Sequence, residues 1–144
     1  MKRTVAKRSI TSLAALMMVD AAETMADKLG IAIATTIVDE SGIMKAFRRM
    51  DGAPLMSIGV SQRKAITAVG LGLPTGEPWY DFIKDDPILS QGVHGIQDFT
   101  LLGGGIPISV DDELVGAIGV SGGHYKQDEE CANAALSVLE VEGV

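Results

Sequence analysis

The stretch LLGGGIPISVDDELVGAIGVSGG, Leu101 to Gly123, decides the fold. Ile106, Ile108 and Val110 alternate with Pro107, Ser109 and Asp111, the period of a half-buried strand. Leu114, Gly116, Ile118 and Val120 form one face of the next run, and Val115, Ala117, Gly119 and Ser121 form the other. Asp111-Asp112-Glu113 is the connection of a hairpin, without the Asn-Gly or Asp-Gly of the tightest turns. Pairing the two runs brings Gly103-Gly104-Gly105 and Gly122-Gly123 to the same end. That end is expected to present bare backbone N–H groups that a flat or anionic ligand can approach closely.

Around this hairpin the chain supplies helices and a second hairpin. Ile10, Leu13, Met17, Ala21, Met25 and Leu29 form one helical stripe, with Ser9 as N-cap and Gly30 as the stop. Ile31 to Asp39 is rich in β-branched residues, Glu40-Ser41-Gly42 turns, and Ile43 to Met50 returns. Pro54 suits a helix start, and Leu55, Ile58, Gln62, Ala65 and Val69 follow at helical spacing. Residues 73 to 98 show no sustained period and hold the only Trp, a Tyr, a Phe and His94. Such an excursion is expected to be a lid, a binding loop or a subunit contact. A short strand is predicted over Phe99 to Leu102, and a last helix from about Gln127 to Val141, with acidic residues in its first turn. The expected architecture is α+β: an antiparallel sheet of about five strands flanked by helices. Residues 1–144 show no linker and no repeat, so they read as one domain.

Composition excludes several classes. Twelve basic against 19 acidic residues give a net charge of −7, which argues against nucleic acid and anionic membrane surfaces as partners. No run approaches a membrane span. Lys2, Arg3, Lys7 and Arg8 before SLAALMMV resemble a signal peptide, but Asp20 interrupts the run and the helical period continues past it. Cys131 is alone, so no intrachain disulfide forms, and a cytoplasmic location is expected.

The candidate site is a pocket walled by Gly103, Gly104, Gly105, Ser121, Gly122 and Gly123. Lys64 and Arg49 are candidate cations for a carboxylate, and Trp79 is a candidate stacking partner for a flat ligand. His94 and His124, the only histidines, are candidate haem ligands or, in an enzyme, acid/base groups. Each basic or aromatic residue taken alone also fits a solvated charge, a loop histidine or a subunit contact. No dedicated metal site is expected: two histidines alone do not form a full zinc centre, though carboxylates such as Asp98 or Asp128 could complete one. The glycine triplet is neither a phosphate loop nor a dinucleotide fingerprint, since a strand follows it.

TTIVDESG at 35–42, RRMDGA at 48–53, SQRKAITA at 61–68, LLGGGIPI at 101–108 and VGAIGVSGG at 115–123 together resemble the GlcG/HbpS family. These are haem-binding-type domains, also fused to some corrinoid adenosyltransferases. The resemblance implies a profilin-like sheet flanked by helices, homo-oligomers from dimer to octamer, and haem as cofactor in some members. It assigns no axial ligand to His94 or His124. Besides a purely structural oligomer, which the apolar, glycine-rich composition also allows, two functions stay open. One is a small-molecule-binding domain for haem or another carboxylate-bearing ligand. The other is a small enzyme of tautomerase, deaminase or hydrolase type acting on an organic acid in glycolate or aromatic catabolism.

Overall fold

The computed structural model describes residues 1–140. The hairpin of the opening stretch is β3, Gly105–Val110, and β4, Glu113–Ser121. Its turn is the pair Asp111-Asp112, both left-handed with φ of 51° and 60°. Two consecutive positive φ values match the right-handed twist of the flanking strands, so the turn is tighter than its sequence suggests. Arg8 Nη1 donates to Asp111 Oδ2 at 3.1 Å and holds that turn to the N-terminal segment. The second hairpin is β1, Ala34–Asp39, and β2, Met44–Arg49. Asp39 Oδ1 accepts the amides of Ser41 and Ile43 across its turn.

The two hairpins join through β1 and β4, giving one antiparallel sheet in the order β2-β1-β4-β3. Four strands form rather than about five. Residues 99–102 form no strand: hydroxyls take two of their amides, and Phe99 N turns back to Ile96 O. Thr100 N donates to Thr67 Oγ1 and Leu102 N donates to Thr100 Oγ1. Asp98, at φ 64°, turns the chain away just before them.

Helices α1, Ser12–Leu29, and α5, Tyr125–Ser137, cover one face of the sheet. Helix α2, Ser57–Leu71, covers the other. The core on the first face joins Ile33, Ile37, Ile108, Ile118 and Val120 to alanines of both helices. Helix α1 buries Ala15, Met18, Val19, Ala22 and Ala26, a different stripe from the one expected, and Leu13 is exposed. Small side chains let α1 pack closely on α5, which answers with Cys131, Ala132 and Ala135. Thr11 caps α1 instead of Ser9, accepting the Ala14 amide at 3.1 Å. Arg8 to Ile10 run beside the hairpin: Arg8 N donates to Glu113 Oε1, and Ile10 N donates to Val115 O. Helix α5 starts two residues earlier than expected, and the expected end at Val141 lies outside the described residues.

The middle segment is partly ordered as α3, Glu77–Ile83, α4, Pro87–Gly92, and a 3-10 turn, Val93–Gly95. Proline at the first turn of both short helices and the Asp86 side chain capping α4 explain this order. Among the described residues no helix is long and apolar enough to cross a membrane.

Candidate functional site

The glycine clusters do meet at one end of the hairpin. Gly105 pairs with Gly119, and Val120 N donates to Gly104 O. They are not bare, however. A Cβ on Gly105 would strike the Lys64 carbonyl, and one on Gly119 would strike the Ser61 carbonyl. A Cβ on Gly122 would meet the Ala32 carbonyl. These glycines therefore let backbone pack on backbone, with α2 pressed against the hairpin. Gly104, at φ 122°, has the ammonium of Lys64 and Asp128 Cβ where its own side chain would be. Ser121 is buried as well.

Lys64 does not face a ligand. It is 1% exposed, and its Nζ donates to Asp128 Oδ2 at 2.9 Å and to Val120 O at 2.8 Å. The Gly123 amide donates to the other oxygen of Asp128 at 2.9 Å. Burial draws the Lys64 ammonium below its ordinary value and pushes the Asp128 carboxyl above its own, while the attraction between them opposes both shifts. The pair ties α2, the end of β4 and the start of α5 together. Arg49 lies at the same end of the sheet but on exposed β2. The row Arg49–Ala34–Ser121 puts it two strands, about 10 Å, from the glycine end.

One glycine of the triplet does face an opening. Gly103 lines an apolar cleft of about 220 Å³ with Gly76, Glu77, Tyr80, Leu101, Leu102 and Tyr125. Its walls come from α3, the 101–103 segment and the first residue of α5. Gly76, at φ 97°, starts α3 and donates its amide to Leu101 O at 2.7 Å, which closes one wall on the other. Glu129 packs beneath: a Cβ on either Gly76 or Gly103 would collide with its carboxylate. Burial first, and the charge of Glu77 second, push the Glu129 carboxyl above its ordinary value. Lys126 Nζ meets Glu77 Oε1 at 3.1 Å on the rim, and this contact raises the Lys126 ammonium.

His124 stands beside the cleft as the N-cap of α5. Its Nδ1 accepts the Lys126 amide at 3.1 Å, and Gln127 Oε1 accepts the His124 amide at 3.0 Å. Its ring lies 4.3 Å from that of Tyr125. His94 is elsewhere, exposed on the 3-10 turn with its ring edge-on to Phe99 at 6.1 Å. Trp79 stacks on Phe82 at 5.3 Å and tilts against Phe99. It belongs to the internal cluster of the middle segment and not to the cleft lining. Thus Gly103 and His124 come to one place, while Lys64, Arg49, Trp79 and His94 do not join them. Sequence reasoning placed Glu129 only as a first-turn charge of α5. Its position under two glycines is a long-range contact that no local pattern encodes. Among the described residues no three His, Cys, Asp or Glu side chains group to hold a metal ion.

The sheet, its helical covers and the cleft at its strand ends define a small α+β domain with profilin-like layering. A model of haem-degrading HbpS-like proteins matches residues 10–137, and the chain belongs to that family. A 15.0 kDa protein from the dhaT–dhaS intergenic region of Citrobacter freundii is 33% identical over 133 residues, spanning 89% of this chain and 90% of its own. The chain also matches the corrinoid adenosyltransferase PduO of Salmonella typhimurium at 29% identity, but spans only 36% of that protein. The crystal structure of Klebsiella pneumoniae protein ORFY superposes with a TM-score of 0.89 at 30% identity, over 98% of this chain and 97% of its own. The crystal structure of a PduOC–haem complex superposes with a TM-score of 0.83 at 28% identity, over 90% of this chain and 94% of its own.

Proposed function

We propose that this chain is a haem-binding domain whose cleft between Gly76, Leu101–Gly103 and Tyr125 receives the ligand. The observation that carries the reading is the cleft itself. Its walls are apolar and aromatic, its floor is glycine backbone, and His124, Tyr80 and Tyr125, all side chains able to ligate iron, stand in or beside it. Membership of the HbpS-like family and the similarity to a haem complex support it. Lys126 on the rim is a cation for a propionate, although Glu77 shares it.

The cleft's 220 Å³ lies below the about 300–1,000 Å³ of pockets that enclose a small molecule. One protomer therefore covers only part of a haem, and a homo-oligomer, from dimer to octamer, is the natural way to cover more. Exposed Tyr80, Phe82, Ile88, Ile96 and Leu102 around the middle segment fit such an assembly. The reading treats the chain as a single domain working in the cytoplasm, where a lone buried Cys131 stays reduced.

The alternative, an enzyme acting on an organic acid, is less well supported. Glu77 and Glu129 outnumber Lys126 at the cleft, which disfavours a small anion lodged inside it. Hemin titration tests the haem reading. A saturable Soret shift is expected, and Leu102→Asp in the cleft wall should weaken it about tenfold or more without lowering the melting temperature. An unshifted Soret band at excess hemin rules the reading out.

A further inference from the structure

The haem reading leaves the protein's bond to iron unassigned, and the side chains near the cleft differ sharply in what they have to offer. A neutral imidazole carries a proton on one nitrogen and a lone pair on the other. In His124 the lone pair is on Nδ1, where it accepts the Lys126 amide at 3.1 Å. The proton is then on Nε2, and that nitrogen has nothing to give a metal. Ligation through His124 requires breaking the capping box it forms with Gln127. His94 does not line the cleft and packs edge-on to Phe99. Cys131 is buried and its thiol is pushed up to about 12, so it supplies no thiolate.

Two phenols remain. Tyr80 lines the cleft from α3 but is 53% exposed and stacks on no other ring. Tyr125 lines it half-buried, as the first residue of the capped helix α5, with its ring held against the His124 imidazole at 33° between planes. The next residue, Lys126, has its Nζ 3.1 Å from Glu77 Oε1 on the rim.

We infer that Tyr125, and neither histidine, supplies the protein's bond to the haem iron; this rests on the haem-binding reading above. His124 serves as a positioning residue, its ring and its cap fixing Tyr125. In the binding step Tyr125 gives up its phenol proton to solvent, and an Oη lone pair forms the bond to ferric iron. The water or hydroxide that iron held in solution leaves, and no electron moves.

Hemin complexes of the wild type, Tyr125→Phe, Tyr80→Phe, His124→Ala and His94→Ala, compared by absorption and resonance Raman spectroscopy, test this. The wild type is expected to show a phenolate-to-iron charge-transfer band and enhanced phenolate ring modes. Y125F loses both and binds hemin about tenfold or more weakly. H124A melts at a lower temperature, because its helix cap is gone, and its phenolate signature weakens with the loss of the ring that positions Tyr125. Y80F binds hemin more weakly but keeps the signature, and H94A, outside the cleft, keeps both unchanged. A wild-type complex without that signature, its retention in Y125F, or its loss in Y80F overturns the assignment, as does an imidazole-type low-spin spectrum that disappears in H124A. No hemin binding by the wild type overturns the haem reading itself, and the assignment with it.

Discussion

Asp128→Asn should be the most damaging single polar substitution in the molecule. Asp128 and Lys64 are each 1% exposed, and the carboxylate accepts from Lys64 Nζ and from the Gly123 amide, both at 2.9 Å. An asparagine keeps one oxygen for Gly123 but turns an amide NH₂, or nothing, toward the ammonium. Lys64 is then a buried cation whose only partner is the Val120 carbonyl. Breaking a buried pair in this way costs about 3–5 kcal/mol, a large part of the about 5–15 kcal/mol that a domain has in total. Urea unfolding followed by circular dichroism reads it directly. At a slope of about 2 kcal/mol per molar, a loss of about 4 kcal/mol moves the midpoint by about 2 M. Lys64→Met should cost a similar amount, since it strands the carboxylate. The double variant K64M/D128L removes both charges and leaves the Val120 carbonyl and Gly123 amide short of a partner, at about 1–3 kcal/mol each. Its loss should therefore fall well below the sum of the two singles. A D128N midpoint within about 0.5 M of wild type, or an additive double variant, would refute the reasoning.

Gly119→Ala should lower stability by about 1–3 kcal/mol or more, because its methyl group meets the backbone of Ser61 and Ala65 on α2, whereas Gly70→Ala, with open space around a helical glycine, should raise it by up to about 1 kcal/mol. Equal midpoints for the two in urea would contradict the close-packing role of the hairpin glycines. Glu129 has a folded-state value raised above the ordinary 4.5, so its contribution to stability is fully present below that value and is lost as pH rises through the folded one. Glu129→Gln should then melt above wild type near pH 7, with the gap closing toward pH 4, and a gap that does not change with pH would count against the buried carboxyl. Cys131, buried with its thiol near 12, should resist a thiol reagent at mildly alkaline pH in the folded protein and react only after urea is added.

Much of the fold is written in local patterns. The alternation of Ile106, Ile108 and Val110 and the β-branched run before Asp39 give both hairpins, but not the register shifts at Ile37/Val38 and Ile108/Ser109. What local patterns missed is governed by partners distant in sequence. The stripe of α1 shifts because alanines, not Leu13, suit the close approach of α5. Residues 99–102 look like a strand, yet Thr67 on α2 takes the Thr100 amide first. The site divides the same way. Glycines at the hairpin end announce that something comes close, but sequence cannot say whether it is a ligand or the protein's own backbone. For Gly105, Gly119 and Gly122 it is backbone, and only Gly103 opens to a cleft. Lys64 reads as a helix-borne cation free to meet a carboxylate. Its carboxylate turns out to be Asp128, 64 residues later.

The central claim is that haem enters the cleft over Gly76 and Gly103. Ferric haem is paramagnetic, so backbone amide spectra of the isotope-labelled protein, recorded as hemin is added, locate it directly. The account predicts selective broadening of Gly76, Leu101–Gly103 and Tyr125–Lys126, with the amides around His94 and Arg49 unaffected. Broadening centred on His94 or on β2, or none at the cleft while the Soret band shifts, would contradict it.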